Sequence, residues 1–337
     1  MNDKTRVRNM LIQIFAVLLV LVLAVIGLGA WCIRMPGQSW RGELAPLDAA
    51  GETLRQRLAG HVQVLAGDIG ERNSTLMRRL YLAADYVEGQ FTDMGYVPSS
   101  QVYGANQYRN LSVDVYGREL RDEIIIVGAH YDTTWMTPGA DDNASGVAGL
   151  LEMARALREH PSRRTVRFVA FVNEEEPFFG RDDMGSMQSA RRSYERGEKI
   201  AGMYSLEMIG FYSDEPRSQY YPRVIRRFYP RVANFVGFVG NAYSRGFLHD
   251  SIAAFRRHAQ FPSEGLSAPE WLVPDIRRSD NFAYWRHGYP AVMVTDTSNF
   301  RNYHYHNAGD LPKTLDYDRM ARVVMGLTGM VSELANR

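Results

Sequence analysis

The chain has 337 residues, of which 45% are hydrophobic and 23% are charged, and its formal net charge at neutral pH is +1. This length suits one large α/β domain or two smaller ones, and the near-neutral charge gives no reason to expect nucleic acid as a partner. The single cysteine, Cys32, excludes an intrachain disulfide and a metal site built from several thiolates. Any bound metal must therefore be held by histidine and carboxylate side chains.

The N-terminal segment predicts a membrane helix. Residues 10–33 are apolar apart from Gln13, and about 20 consecutive apolar residues are enough to span a bilayer. Three basic side chains precede this segment: Lys4, Arg6 and Arg8. The positive-inside rule therefore predicts a single-pass anchor in the lipid bilayer, with residues 1–9 in the cytoplasm and the rest of the chain on the periplasmic or extracellular side. A cleaved signal peptide is the main alternative, although its apolar region would be shorter.

The remainder of the chain alternates predicted helices and strands. Residues 34–48 predict a linker, and a domain is predicted from 49 to 337. Apolar residues at helical spacing predict helices over 54–65, from Asn73 or Ser74 to about Met94, over 145–158 and over 317–334. Strands are predicted over 110–115, 124–129, 166–172, 200–206 and 291–295. This alternation predicts an α/β fold, a mostly parallel mixed sheet with helices on both faces.

Between about 211 and 278 the periodic pattern weakens. Helices are predicted over 232–239 and 247–258, and the whole stretch is predicted to be an insertion over the strand ends that determines specificity. Its aromatic side chains are candidates for an apolar substrate pocket, with packing of the insertion on the domain as the alternative. These aromatic residues are Tyr212, Tyr220, Tyr221, Phe228, Phe247 and Trp271.

Metal-ligand residue types follow the predicted strands at their carboxyl ends, where open α/β sheets bind their ligands. They are His130, Asp132, Asp141, Asp142, Glu174, Glu175, Glu176, Glu207, His304 and His306. Each alone has a structural interpretation, such as a helix N-cap for Asp141 and Asp142. Together the carboxylates would repel one another, and no lysine stands among them to neutralise them. A bound divalent cation removes that repulsion, and this donor set suits zinc and also manganese, cobalt and iron.

Six motifs occur in a fixed order: Gly128-Ala-His130-Tyr-Asp132, Pro138-Gly-Ala-Asp-Asp142-Asn-Ala-Ser-Gly146, Phe171-Val-Asn-Glu174-Glu175, Leu206-Glu207-Met-Ile-Gly210, Ser279-Asp280-Asn-Phe282 and Tyr305-His306-Asn…Asp310. In this order they resemble the dinuclear zinc aminopeptidases of peptidase clan MH, which are related to glutamate carboxypeptidase, glutaminyl cyclase and the transferrin receptor. The resemblance extends from about Leu76 to the C-terminus. It implies a zinc-exopeptidase-like fold.

The resemblance also implies two zinc ions per chain and a ligand set. His130 and Glu207 would bind one ion, Glu175 and His306 the other, and Asp142 would bridge both. The family's spacing favours Asp142 over Asp141 and His306 over His304. The family often has aspartate where Glu207 stands, so the longer side chain changes the local geometry there.

Three catalytic roles are carried over in the same way. Glu174 would be the general base, Asp132 would orient His130, and Tyr305 would help to stabilise an oxyanion. The implied reaction is hydrolysis of the N-terminal bond of a peptide substrate by a metal-bridged water.

Other functions of the same fold remain as alternatives. A glutaminyl cyclase uses a single zinc and does not require both His130 and Glu207, whereas both are present here. A non-catalytic receptor or scaffold would have lost ligands or the base, and none is missing. A carboxypeptidase or dipeptidase would use the same dinuclear site.

Overall fold

The computed structural model describes residues 3–223 and 225–337, with side chains from residue 6 onward. The chain separates into two units, Met1–Arg34 and Met35–Arg337. The first unit contains helix α1 (Asp3–Ile33), within which Arg6–Ile33 is long and apolar enough to cross a membrane. This helix is compatible with a single-pass anchor or with a signal sequence. Residues 1 and 2, part of the predicted cytoplasmic N-terminus, lie outside the described residues, as does residue 224.

The second unit is built on an eight-stranded mixed sheet with the order β1-β2-β4-β3-β5-β8-β6-β7. The strands are β1 (Ser99–Tyr103), β2 (Tyr108–Val115), β3 (Leu120–His130), β4 (Arg164–Phe171), β5 (Lys199–Glu207), β6 (Val236–Asn241), β7 (Ser263–Ala268) and β8 (Ala291–Thr295). The central strands β4, β3, β5 and β8 are parallel. Strand β6 pairs antiparallel with β8 and parallel with β7, while β1, β2 and β4 pair antiparallel. The carboxyl ends of the four central strands therefore lie at one edge of the sheet.

Helices cover both faces of the sheet, as predicted. They are α2 (Ala49–Val62), α3 (Met77–Asp93), α4 (Gly146–Leu157), α5 (Gly185–Glu195), α6 (Arg245–His258), α7 (Asn281–Arg286) and α8 (Tyr317–Ala335). On β3, Ile125 and Val127 face the larger apolar core with α2, α3, α4, α6 and α8. Ile124 and Ile126 face the smaller core with α5 and α7. Burial of both faces explains why the apolar run in β3 is continuous rather than alternating.

Most predicted elements correspond to observed ones. The five predicted strands match β2, β3, β4, β5 and β8, and the helices predicted over 54–65, 145–158, 247–258 and 317–334 match α2, α4, α6 and α8. A π-helical stretch, Gln63–Ile69, continues α2, and a kinked turn, Ala140–Ser145, leads into α4, with non-helical backbone angles at Asp142 and Asn143. Helix α3 begins at Met77 rather than after a cap at Asn73, because the Asn73 side chain instead accepts hydrogen bonds from the amide and hydroxyl of Thr75.

The prediction for residues 211–278 is wrong in part. The helix predicted over 232–239 is absent, and Val236–Asn241 form strand β6 instead. A short apolar run does not by itself distinguish a strand from a helix, and here Gly237 and Gly240 disfavour the helix. Strand β7 pairs with β6, so both belong to the central sheet and not to an insertion above it. In the described part of residues 211–278, helix α6, a short 3-10 helix (Pro274–Arg277) and the connecting loops lie outside the sheet.

The predicted linker packs on the second unit from Met35 onward, although it forms no helix or strand up to Asp48. Arg256 Nη1 donates a hydrogen bond to the carbonyl of Pro36 at 2.8 Å, and Arg322 Nη2 donates to that of Ala45 at 2.6 Å. The amide of Ser263, at the start of β7, donates to Ser39 Oγ at 2.9 Å. These contacts make the segment part of the domain.

Candidate metal centre

The side chains predicted as metal ligands come from separate segments and meet at the carboxyl edge of the central strands. His130 is the last residue of β3 and Glu207 the last of β5. Glu175 follows β4, His306 follows β8, and Asp142 lies in the turn that leads into α4. Except for His306, these side chains are buried.

Two groups of three potential ligands form at this edge, and they share one residue. The first is His130, Asp142 and Glu207, and the second is Asp142, Glu175 and His306. In each group, one donor atom per residue lies within 4.8 Å of the others. The division is the one that the family resemblance implies.

The spacing within the groups suits a metal ion better than direct hydrogen bonds. His130 Nε2 lies 3.3 Å from Glu207 Oε2 and 3.5 Å from Asp142 Oδ1. His306 Nε2 lies 3.2 Å from Asp142 Oδ2 and 3.5 Å from Glu175 Oε2. Hydrogen bonds from nitrogen to oxygen are mostly shorter, about 2.9–3.0 Å. Ligand atoms at zinc–ligand distances of 2.0–2.1 Å in a tetrahedron are separated by about 3.3 Å.

Several buried atoms at the site lack partners. Among the described residues, none hydrogen-bonds either ring nitrogen of His130, and the same is true of Glu175 Oε1. Buried polar atoms are almost always hydrogen-bonded, so unpartnered ones need an explanation, such as a bound ion. The residues present therefore fit a metal centre.

The backbone at Asp142, the residue shared by both groups, is held in place by Asp310. The carboxylate of Asp310 accepts hydrogen bonds from the backbone amides of Asp141 (2.9 Å) and Asp142 (3.1 Å). The Asp141 side chain belongs to neither group and instead accepts hydrogen bonds from the Gly210 amide (3.0 Å) and Asn302 Nδ2 (2.7 Å). The two consecutive aspartates thus have different environments.

The three consecutive glutamates also differ in their surroundings. Asp132 accepts hydrogen bonds from the amides of Glu174 (3.1 Å) and Glu175 (3.2 Å), and its Oδ1 lies 3.5 Å from His130 Nδ1. Glu174 is buried and belongs to neither ligand group, with Oε2 at 3.9 Å from His130 Nε2. Glu176 is exposed. Of the three glutamates, only Glu174 is buried at the site and lies outside both ligand groups.

Tyr305 and Ser279 each contact one of the predicted ligands. The Tyr305 ring stacks on that of His306, with centroids 3.7 Å apart, and its hydroxyl accepts a hydrogen bond from Arg278 Nη2 at 3.2 Å. Ser279 Oγ donates to Glu207 Oε2 at 2.7 Å. His304 packs against Tyr303 and belongs to neither ligand group.

Charged and titratable groups are crowded together at this site, and their pKa values are shifted. Burial raises the pKa of Glu174 well above its ordinary value, and burial together with the Asp142 charge raises that of Glu175 to about 7. Burial opposes the charged form of His306, yet the close carboxylates of Asp142 and Glu175 raise its pKa to about 10. The pKa of buried His130 is raised by the Glu174 and Glu207 charges in the same manner. Cations at the site would relieve this repulsion between carboxylates.

Two buried residues at the site received no role from the sequence. Arg72 is fully buried and donates hydrogen bonds to five backbone carbonyls, namely those of Leu65, Gly70, Tyr131, Pro138 and Gly139. It fixes the loop between His130 and Asp142. Asp280 is fully buried, burial raises its pKa to about 7, and neither of its oxygens has a hydrogen-bond partner within the described ranges. No local pattern marks Arg72, whereas Asp280 stands in one of the six motifs.

A cleft opens beside the metal centre and shares Tyr305 and Arg278 with it. Of the aromatic residues predicted to line a substrate pocket, Tyr221 lines this cleft. Tyr212 packs against Phe261 and Phe247 against Tyr204, while Tyr220, Phe228 and Trp271 are exposed.

Comparison with known protein sequences identifies relatives over most of the chain. Residues 110–330 match the model of peptidase family M28. A protein of Escherichia coli K12 described as uncharacterized protein YfbL is 37% identical over 303 residues, which are 86% of this chain and 91% of that protein. Leucine aminopeptidase 1 of Trichophyton equinum is 28% identical over 236 residues, which are 63% of this chain and 55% of the fungal protein.

Solved structures share the fold. LapA aminopeptidase of Legionella pneumophila superposes with a TM-score of 0.62 at 18% identity, covering 88% of this chain and 78% of that one. A glutaminyl cyclase of Porphyromonas gingivalis gives the same TM-score of 0.62 at 18% identity, covering 83% and 98%. The fold is therefore equally similar to both and does not separate the two activities. With the family match over residues 110–330 and the 37% identity to a relative of nearly the same span, the chain belongs to peptidase family M28.

Proposed function

We propose that the chain is a membrane-anchored, zinc-dependent aminopeptidase that removes N-terminal residues from peptides. The observation that carries the proposal is the pair of ligand groups that share Asp142. Two metal ions held by a shared carboxylate form a common hydrolytic arrangement. Membership of peptidase family M28 and the similarity to a leucine aminopeptidase support the same reaction.

The chain's own residues would hold two zinc ions. His130 and Glu207 would bind one, Glu175 and His306 the other, and Asp142 both. When bound, such ions lower the pKa of a water between them and polarise the scissile carbonyl. Asp132 faces Nδ1 of His130 and accepts the amide hydrogens of Glu174 and Glu175, so it positions a ligand and the base together.

Glu174 acts as the general base in this proposal. It is buried beside the ligands without belonging to either group, so its carboxylate is available to accept a proton. It takes the proton of the attacking water and delivers it to the amine that leaves. Each turnover returns Glu174 to its starting protonation state.

Tyr305 and Arg278 stabilise the negative charge that develops on the carbonyl oxygen. Because Arg278 donates its hydrogen bond to the Tyr305 hydroxyl oxygen, the phenolic hydrogen remains available for the substrate oxygen. Donors fixed in advance of the reaction are the most effective form of such stabilisation.

Glutaminyl cyclase activity is the second candidate, because the fold is as similar to a cyclase as to an aminopeptidase. The test uses the full-length chain in detergent, with metal content measured per chain and two peptides that begin with leucine and with glutamine. The proposal predicts two zinc ions, release of the free N-terminal residue from both peptides, loss of turnover with a chelator and recovery with zinc. One zinc ion and a pyroglutamyl product with release of ammonia would establish the cyclase instead.

The location of the catalytic unit is part of the proposal. Arg6 and Arg8 precede the apolar part of α1, which favours a cytoplasmic N-terminus and a periplasmic or extracellular catalytic unit. N-terminal sequencing of the membrane-bound protein tests whether α1 is retained. Alkaline phosphatase fused to the C-terminus should be active, since it folds only outside the cytoplasm, and an inactive fusion would place the unit inside.

A further inference from the structure

The cleft beside the metal centre has apolar walls. It lies over β6, β7 and the end of β8 and encloses about 790 Å³, its open mouth included. The apolar side chains include Phe235, Phe238, Val239, Leu266, Ile276 and Met293. Thr295, also in its wall, pairs in the sheet with the proposed ligand Glu207. A substrate whose scissile bond lies at the metal centre would therefore have a neighbouring side chain within reach of the cleft.

One carboxylate in this apolar cleft, that of Glu264, has no hydrogen-bond or ion-pair partner among the described residues. Asp275, Glu264 and Arg278 are the charged residues of the lining. Arg278 and Asp275 form an ion pair at 3.5 Å, whereas no residue in 3–223 or 225–337 donates a hydrogen bond to Glu264 or pairs with it. Glu264 is half-buried, and a carboxylate that is partly withdrawn from water without a partner is destabilised, so its environment suits a cationic ligand.

Among the described residues, neither Arg256 nor Arg41 forms a hydrogen bond or an ion pair with Glu264, although the charges of both act on it. Burial raises the pKa of Glu264, and the charges of Arg256 and Arg41 offset this only in part. The guanidinium of Arg256 is committed to the carbonyls of Pro36, Gly37 and Ser263 and to the hydroxyl of Ser263. The carboxylate therefore remains available to the cleft.

Two tyrosines add to the recognition of a cation. Tyr221 and Tyr229 line the same cleft, and their rings stack with centroids 5.5 Å apart. Their hydroxyls donate hydrogen bonds to the carbonyls of Pro230 (2.6 Å) and Gly265 (2.7 Å), which fixes the rings. Glu264 lines the cleft together with these two tyrosines. Aromatic faces beside a carboxylate attract ammonium and guanidinium groups.

We propose that this cleft receives the side chain of the N-terminal residue of the substrate, and that Glu264 selects lysine or arginine there. The inference rests on the proposed aminopeptidase function. The aliphatic stem of the side chain lies on the apolar walls, and its charged end meets Glu264 and the tyrosine faces. Glu264 is thus a specificity-determining residue and takes no part in the chemical step.

The test compares reporter substrates of lysine and norleucine, which share the same stem and differ in the ammonium group. The wild-type, full-length enzyme should have a kcat/KM for lysine at least about 10-fold higher than for norleucine. Glu264→Gln should lower kcat/KM for lysine by about 10- to 100-fold, the range of a hydrogen bond to a charged group. The same substitution should leave kcat/KM for norleucine within about threefold of the wild-type value. Glu215→Gln, an exposed carboxylate outside the cleft, is the matched control and should change neither.

The outcomes separate this inference from the proposed function. If kcat/KM for norleucine equals that for lysine, or if Glu264→Gln lowers kcat/KM equally for both substrates, the aminopeptidase function stands and the cleft assignment fails. If the zinc-loaded enzyme cleaves neither substrate nor any other aminoacyl reporter, both fail. Should Glu264→Gln not fold, inhibition of the wild type by free L-lysine against free L-norleucine decides, and equal inhibition overturns the assignment.

Discussion

Replacement of Glu174 by glutamine should separate catalysis from metal binding. The Glu174 carboxylate belongs to neither ligand group, and its Oε2 lies 3.9 Å from His130 Nε2. An amide of the same shape leaves the five ligands in place but cannot accept the proton of the attacking water. A general base contributes about 10²- to 10⁴-fold to the rate. That corresponds to about 3–5 kcal/mol of transition-state stabilisation.

The two glutamates that follow provide matched controls for this variant. Glu175→Gln should lower the metal content towards one ion per chain together with activity, because Glu175 belongs to the second group. Glu176→Gln should change neither, since Glu176 is exposed. The assay measures kcat on an aminoacyl reporter and bound zinc on the same samples. A Glu174→Gln enzyme that keeps more than about a tenth of wild-type kcat, or that loses its zinc, would refute the assignment of the base.

Substitutions at the shared ligand, at Arg72 and at Glu152 give three further predictions. Asp142→Asn should reduce bound zinc at both positions, whereas Asp141→Asn, outside both groups, should retain ions; equal metal content in the two variants would contradict the shared ligand. Arg72→Lys removes several of the hydrogen bonds to backbone carbonyls and should lower unfolding stability by about 2–4 kcal/mol, measured by denaturant unfolding. Burial disfavours the charged form of Glu152, yet hydrogen bonds from His61, Arg57 and Arg155 hold its pKa at about 2. Glu152→Gln should therefore lower the free energy of unfolding by about 3 kcal/mol near neutral pH. The pKa of Glu152 is depressed in the folded state, so the stability difference between the wild type and Glu152→Gln should narrow as pH falls from about 4.5 towards 2. A difference that stays constant over this range would contradict the prediction.

The parts of the fold that the sequence predicted well depend on local signals. The continuous apolar run in β3 indicated a strand buried on both faces, and its two cores confirm that interpretation. His130 and Glu207 stand at strand ends, so the parallel order of β3 and β5 brings them together. Their convergence follows from topology that the alternation of elements already implied.

The parts that were missed depend on non-local contacts. Strand β6 is held by pairing with β8 on one side and β7 on the other, and its short sequence alone does not specify this. Arg72 lies far along the chain from the loop that it fixes. Nothing in the local sequence marks Glu264, whose proposed role depends on the cleft that it lines. Such roles appear only when distant segments are placed side by side.

The most direct measurement of the central claim is anomalous diffraction at the zinc absorption edge from crystals of the metal-loaded protein. The account predicts two peaks, one among His130, Asp142 and Glu207 and the other among Asp142, Glu175 and His306. No peak at either position, or a single peak held by other side chains, would contradict it.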